Sequence, residues 1–480
     1  MRSRVFLISL VTLVTLLAGA GRGFAQGWSS DARKIALGGV GTNLNIASQM
    51  IEPDPKYRSI FIPLGLLQIV SNFDKFNPNS SNFDPIRAME YVANPYHFTI
   101  GRNDDSAGRK LATDLFNGNV HANLNDYRGF IPPKNPKTEG IASFSLIHKT
   151  FKFQSNGTQF QGIYVGVGPY LTHRTSIDID QKILDILSAT DAPVSFPNDQ
   201  YLIQVDRSTT QVAGAITFGY RGHMGNPPGL PSEGRDREGL YVAVNYNYLH
   251  GFRLFDEGVK VRFDTGPTGS LFLNPNKVLA PCPAAVNPVG FPAGTYGTPF
   301  CTDHRYSTSG TGRAIDFGVA SVFGKWEVGF GINGLSSYIE WSDVEQSSFQ
   351  LAPNIGLTSG ASFDLQQTPT VTLANKVKIE QPTDVRANAT YHAFFGTLMA
   401  DIGNGYQGTS IHSGIEKKFG PLAGRAGMRY TNEKWNPSLG AGITFLPRVG
   451  LDFAYLTSTA NAEKTRQSVM ALSLRINSKS

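Results

Sequence analysis

From position 312 to the C terminus the chain is built from short segments that alternate between apolar and small or polar residues. In 448–457, Val449, Leu451, Phe453 and Tyr455 alternate with Gly450, Asp452 and Ala454. A period of two with one greasy face predicts a strand lying between two different media. The pattern recurs upstream. Leu439, Ala441, Ile443 and Phe445 oppose Gly440, Gly442 and Thr444, and Trp326, Val328, Phe330 and Ile332 oppose Glu327, Gly329 and Gly331. Ile315, Phe317 and Val319 oppose Asp316, Gly318 and Ala320, while Leu422, Met428 and Tyr430 oppose Arg425 and Arg429. In 466–476, Ser468, Met470, Leu472, Leu474 and Ile476 oppose Gln467, Ala471, Ser473 and Arg475, with Val469 the exception.

The connections alternate in length. Those at 445–448, 419–421, 324–325 and 380–383 are short; those at 458–465, 431–436, 403–406, 342–365 and 264–311 are longer. Short turns on one side and long loops on the other mark an outer-membrane barrel, with the tight turns in the periplasm. Counting back from 466–476 places strands at 448–457, 436–446, 421–431, 407–419, 384–402, 366–379, 326–341, 312–323, 238–263, 201–222, 159–174 and 141–153. One of 59–67 or 95–101 supplies the remaining strand. The expected fold is all-β: a closed antiparallel transmembrane β-barrel of about fourteen strands, twelve to sixteen at the limits. The connection 222–237 is long for a periplasmic turn, and 238–263 is long for one strand.

By the same alternation Asp316, Glu327, His412, Glu416, Arg425, Arg429, Asp452 and Arg475 face the lumen. A lipid-facing Arg or Lys at midplane costs about 2–4 kcal/mol, so inward placement is forced. Two readings stand: a structural polar network that fills the barrel and holds a plug, or a ring that selects charged solutes. The mixture of signs favours the first.

The N terminus fits export. Arg2 and Arg4 precede an apolar stretch at 5–20, and Gly23-Phe24-Ala25 has the small residues of a signal-peptidase site. The expected signal peptide is 1–25 and the mature start is near Gln26. No later run reaches about 18 apolar residues, the length a membrane helix needs. Arg2, Arg4 and Arg22 leave with the signal, so the formal charge of +6 falls by 3 to +3. That balance gives no case for nucleic acid. The chain has 51 glycines, 31 phenylalanines and 18 tyrosines, and its mean hydropathy is −0.18. Aromatic girdles and half-apolar strands account for both facts in a barrel.

Cys282 and Cys301 share one Pro- and Gly-rich segment of an exported chain, which points to a disulfide. Closing that loop would add about 3 kcal/mol in the chain-entropy model. A metal site needs more ligands than two thiols, and no metal or other cofactor is expected. Positions 178–189 read as a short amphipathic helix, with Ile179, Ile183, Leu184 and Leu187 on one face. It is either a loop helix packed on the barrel rim or a greasy capture surface for a hydrophobic small molecule. Residues 26–140 are irregular, and Asp84-Pro85 opens a capped helix over 86–92. The expected organisation is a hatch, first strand and irregular outer segment in 26–140, a barrel in 141–476 with long outer loops at 175–200, 264–311 and 342–365, and a tail at 477–480.

Chemistry is sparsely signalled. Two G-x-G-x-x-G matches, starting at Gly329 and Gly403, fall inside a strand and at a hairpin tip, where no dinucleotide site forms. His412 and Ser413 lie on opposite faces of one strand and cannot pair as base and nucleophile there. An enzyme is not expected.

The residues 31–41 (DARKIALGGVG), with Gly440-Ala441-Gly442-Ile443, Leu451-Asp452-Phe453-Ala454-Tyr455 and the closing Leu472-Ser473-Leu474-Arg475-Ile476, resemble the long-chain fatty-acid transporter (FadL-like) superfamily and its PorV-type and TraF-like relatives. The resemblance covers about a fifth of the chain. It implies fourteen strands and an N-terminal hatch inside the barrel. The family's Asn-Pro-Ala hatch motif has no counterpart near the N terminus; Asn94-Pro95-Tyr96 is the nearest stretch. The leading expectation is a monomeric barrel embedded in outer-membrane lipid, passing or capturing small hydrophobic molecules. The alternative is a structural or secretion-associated barrel that binds a protein partner through its outer loops.

Overall fold

The computed structural model describes residues 31–41, 44–51, 57–62, 64, 70–71, 98–100, 122–123, 137–143, 146–181, 200–226, 228–234, 236–265, 270–272, 300–353, 363–367, 369–406, 408–431, 434–446, 449–458 and 467–477. The expected signal peptide and Cys282 lie outside them. So do 182–199, with Ile183, Leu184 and Leu187.

Alternation of apolar and small residues makes extended chain throughout. The first strands are β1 (Tyr57–Ile62), β2 (Phe98–Ile100), β3 (Ala122–Asn123), β4 (Lys137–Ser143) and β5 (Ile147–Asn156). Three long ones follow: β6 (Gln159–Ile179), β7 (Gln200–Met224) and β8 (Gly239–Thr265). Next come β9 (Ser270–Phe272), β10 (Phe300–Ser307), β11 (Ser309–Phe323), β12 (Trp326–Ser342) and β13 (Glu345–Pro353). The pieces β14 (Phe363–Gln367), β15 (Val371–Thr372) and β16 (Val377–Glu380) precede β17 (Asp384–Ala393) and β18 (Gly396–Gly405). The chain ends with β19 (Gly408–Phe419), β20 (Leu422–Thr431), β21 (Lys434–Leu446), β22 (Val449–Ser458) and β23 (Gln467–Asn477).

All of these strands belong to one antiparallel sheet. Several are one stave broken by a kink. β10 and β11 run in turn along β8, and β16 and β17 run in turn along β12. β4 and β5 share β6, β1 and β2 share β23, and β13 continues β12 past Asp343, whose φ is 50°. Five such mergers, with the short β3, β9, β14 and β15 set aside, reduce the twenty-three strands to fourteen staves among the described residues.

Three expectations change. First, the stretch expected as one strand, 384–402, is a hairpin: β17 and β18 pair from Val385↔Asn404 to Ala393↔Gly396, around Phe394 and Phe395. The segment 380–383 is then a kink inside a stave, not a turn, and 366–379 is not a full stave. An aromatic pair at the tip reads as strand in the sequence, yet Phe394 is 92 % exposed and stands edge-on to Phe395. Second, β6 runs through Ile179, so the expected helix cannot start at Asp178. Third, closure is not found: among the described residues no pairing joins β1 or β2 to β4 or β5. The expected loop 264–311 also contains β10 with Cys301, and 342–365 contains β13.

The connection between β7 and β8 owes its length to a small folded core. The Glu238 carboxylate accepts from the backbone N–H of Glu233 (2.7 Å) and Gly234 (3.1 Å), from Asn226 Nδ2 and from Ser232 Oγ. His223 stacks on Tyr241 beside it, with ring centres 4.2 Å apart.

The two faces of the sheet are inverted relative to a soluble protein. Ile163, Val167, Phe218, Tyr246, Phe330, Ile402, Leu439 and Phe445 are exposed. On the opposite face Asn247, His412, Arg425, Arg429, Asp452 and Ser473 are buried.

Candidate functional site

The N-terminal segment makes the polar face into a site. Asp31 caps the Ala32–Ala36 helix by accepting from Arg33 N–H at 2.9 Å. Gly38 and Gly39, at φ 73° and 89°, end it, with Gly39 N–H returning to Lys34 O. The left-handed region at these positions suits glycine alone. Ala32, Ile35 and Ala36 pack on Ala454, Leu456 and Ala471.

From there the segment crosses the wall stave by stave. Arg33 donates from Nε and Nη2 to Glu416 on β19 at 2.8 and 2.9 Å. Ser438 Oγ on β21 donates to Ala36 O at 3.0 Å. Gly41 N–H donates to Asp401 on β18 at 3.0 Å. Asn45 Nδ2 and Ser48 Oγ both donate to Asn388 Oδ1 on β17, at 3.1 and 2.9 Å. The short Ser48–Ile51 helix sits over Tyr241, Ala243, Ala320 and Val322.

Such proximity needs a wall without side chains. A Cβ on Gly414 would meet Leu37 O at 2.7 Å; on Gly427 it would strike Leu37 and Gly38, and on Gly440 Ala36. On β11 and β12, Gly318 and Gly331 lie under Asn45, and Gly329 under Ser48. The segment lies in a groove of inward glycines.

Beneath the first helix runs a chain of ion pairs. Glu416 also accepts from Arg425 Nε at 2.7 Å; Arg425 Nη1 reaches Asp452 at 2.8 Å, and Arg475 Nε reaches the other Asp452 oxygen at 3.0 Å. Gly442 leaves room for the middle pair, since a Cβ there would strike Asp452 Oδ1. Three guanidiniums, Arg33 included, face two carboxylates. Buried charges survive only when paired and hydrogen-bonded in this way.

The structure therefore brings Glu416, Arg425, Asp452 and Arg475 together. His412 stands apart, its Nδ1 2.5 Å from Asp401 Oδ1, and the other Asp401 oxygen holds Gly41. Arg429 is 1 % exposed on the neighbouring strand. Glu327 accepts from His392 Nε2 at 3.0 Å. Asp316 lies elsewhere on the face, taking Asn247 Nδ2 at 2.7 Å and Gly334 N–H at 2.9 Å. Asp401 was missed because reading 384–402 as one strand inverts the parity of everything beyond Phe394; Asn388, Asn45 and Ser48 were missed because uncharged side chains carry no such signal in the sequence.

A cavity of about 100 Å³ separates the segment from β17 and β18. Leu37, Val40, Leu44, Ile51 and Met399 line it together with Lys34, Glu327, Asn388 and Thr390. Lys34 Nζ donates to Gly41 O at 2.8 Å. The lining mixes these apolar side chains with charged and polar ones, Arg33 and Ser48 among them, around a space of only a few atoms.

No family model and no curated protein sequence matches the chain. Among solved structures, a triple mutant of the Rhodopseudomonas blastica porin aligns at 9 % identity over 65 % of this chain and 99 % of its own, with a TM-score of 0.20. A mutant of the TodX monoaromatic hydrocarbon channel aligns at 11 % identity over 72 % of this chain and 90 % of its own, with a TM-score of 0.26. Likeness at that level carries no argument about the chain.

Proposed function

We propose that the chain is a monomeric outer-membrane β-barrel, a gated passive channel or capture protein for small hydrophobic molecules. The observation that carries the reading is the inversion of the sheet, with apolar side chains outside and paired charges beneath a seated N-terminal segment. Hydrocarbon is the solvent that suits the first face, and a closed cylinder is the strand architecture that survives in it. The open edges, β1/β2 and β4/β5, run in opposite directions, the orientation closure requires.

The residues 31–51 act as the hatch, and the cavity behind Leu37 and Met399 is where a small apolar solute passes or rests. Ile183 and Leu187, which follow β6 in the sequence, are the proposed docking residues. The test is membrane fractionation with heat-modifiable gel mobility, followed by uptake of a labelled hydrophobic solute. Folded protein recovered from the aqueous fraction without detergent defeats the reading. Unchanged uptake by the Ile183→Asp, Leu187→Asp double variant defeats the docking surface alone.

One observation favours a second reading. β6, β7 and β8 contain 21, 25 and 27 residues, where about 9–11 span a bilayer. Their far halves would project beyond the lipid and could present a platform to a protein partner through the outer loops. Co-purification of a stoichiometric partner, lost when 266–299 is deleted, supports that role.

A further inference from the structure

The wall beside the cavity is built in rows. Glu327 on β12, Thr390 on β17 and Met399 on β18 stand opposite one another and form the row that lines it. The next row on one side holds Gly329, Asn388 and Asp401; the next row on the other, toward the β17–β18 hairpin tip, holds His392 and Thr397. Successive rows lie two residues, about 7 Å, apart along the strands.

The first of these flanking rows is filled by the N-terminal segment. Asn45 and Ser48 lie over Gly329, where a Cβ would run into both. The same two side chains bond Asn388 Oδ1, and Gly41 N–H bonds Asp401, whose other oxygen takes His412 Nδ1. One row further along, Arg386 is buried, lies against Gly403 and donates to Asp384. Movement in that direction breaks several bonds at once, one of them to a backbone N–H, and leaves buried polar groups without partners.

The row toward the hairpin tip is latched by wall residues. His392 N–H donates to Lys325 O in the β11–β12 turn at 3.0 Å, its Nε2 donates to Glu327 at 3.0 Å, and Thr397 Oγ1 lies 3.5 Å from its Nδ1. The side chains of Glu327 and His392 are 22 % and 39 % exposed, against 10 % for Asp401. Glu327 thus has one side on the cavity and the other on solvent. A pair that water reaches is held weakly, and a change of the His392 rotamer parts it without moving the backbone.

We propose that the cavity opens to the periplasm and that the Glu327–His392 pair is its door. This rests on the barrel reading above, which puts the β11–β12 and β17–β18 turns in the periplasm. Entry from the outer medium needs the N-terminal segment to lift. Exit to the periplasm needs only the pair to part, so a small apolar solute resting behind Leu37 and Met399 leaves past His392.

The test uses the full-length protein in lipid vesicles, with Cys282 and Cys301 replaced by serine and Met399→Cys placed in the cavity wall. Methyl methanethiosulfonate, a small uncharged reagent, reports how fast that thiol is reached. Adding His392→Ala should raise the rate by about tenfold, whereas adding Asn388→Ala in the filled row should leave it within about twofold of the parent. Adding His392→Trp should lower it by about tenfold. A His392→Ala rate equal to the parent's overturns the proposal, and so does an equal rise in the Asn388→Ala protein. The tryptophan variant decides where the alanine variant fails to fold, and an undiminished rate there also overturns the door. Loss of heat-modifiable mobility in the parent sinks the barrel reading instead.

Discussion

Arg425 lies between two carboxylates, with Nε on Glu416 and Nη1 on Asp452, and it is buried with both. Removing one acid strands a charge rather than merely losing a contact. Asp452→Leu should destabilise the fold by about 3–5 kcal/mol, because breaking a buried pair leaves an uncompensated ion. Replacing Lys378, whose partner Glu380 is exposed, should leave stability close to unchanged, because water already screens that pair. Urea titration of detergent-refolded protein separates the two; equal effects would mean that Arg425 is reached by water. At this scale alternation alone placed Arg425, Asp452, Glu416 and Arg475 on one face. It could not show that they touch, because contact across staves depends on register and on the gap left by Gly442.

The element that matters most is the short N-terminal segment. Gly38 sits at φ 73°, and a Cβ there would lie 2.7 Å from Met428 O. Both conformation and space forbid a side chain. Gly38→Ala should therefore weaken the segment's seat by more than about 1 kcal/mol. Limited proteolysis reads this as cleavage within 38–44 at protease levels that leave the wild type intact; an unchanged digestion pattern would contradict the seat described here. The sequence marks this element weakly. A five-residue helix has too few turns to show a period, and the partners that hold it lie some 340 to 440 positions away. The β17–β18 hairpin escaped for a different reason. Tight turns are recognised by Gly, Pro, Asn or Asp, and this tip is Phe394-Phe395.

For the whole molecule, the sign of the solvent outside is the central quantity. Phe330→Arg puts a cation in the middle of the exposed apolar face and should cost about 2–4 kcal/mol if that face meets hydrocarbon. Phe394→Arg, at a hairpin tip, should cost about 0–1 kcal/mol under the same rule for interfaces. Folding titrations into lipid vesicles measure both, and a harmless Phe330→Arg would put water where lipid is proposed. The antiparallel all-β character and the orientation of the faces were legible because each strand repeats the same two-residue code, whereas the strand list was not, since 384–402 is a hairpin and 366–379 is no full stave. Nor was the contact in which Gln381 Nε2 donates to Thr172 Oγ1, since it joins staves that no local pattern links.

The groove of inward glycines has a genetic signature. Each marks a place where the backbone or a short side chain of the segment nearly touches the wall, so even alanine crowds it at Gly414, Gly427 and Gly440 on one side, or at Gly318, Gly329 and Gly331 on the other. A saturation-mutagenesis map drawn on the unrolled sheet would show these intolerant sites as a footprint of the segment resting against the wall. Glycines at loop positions such as Gly229 and Gly234, with open space around them, would stand outside that trace.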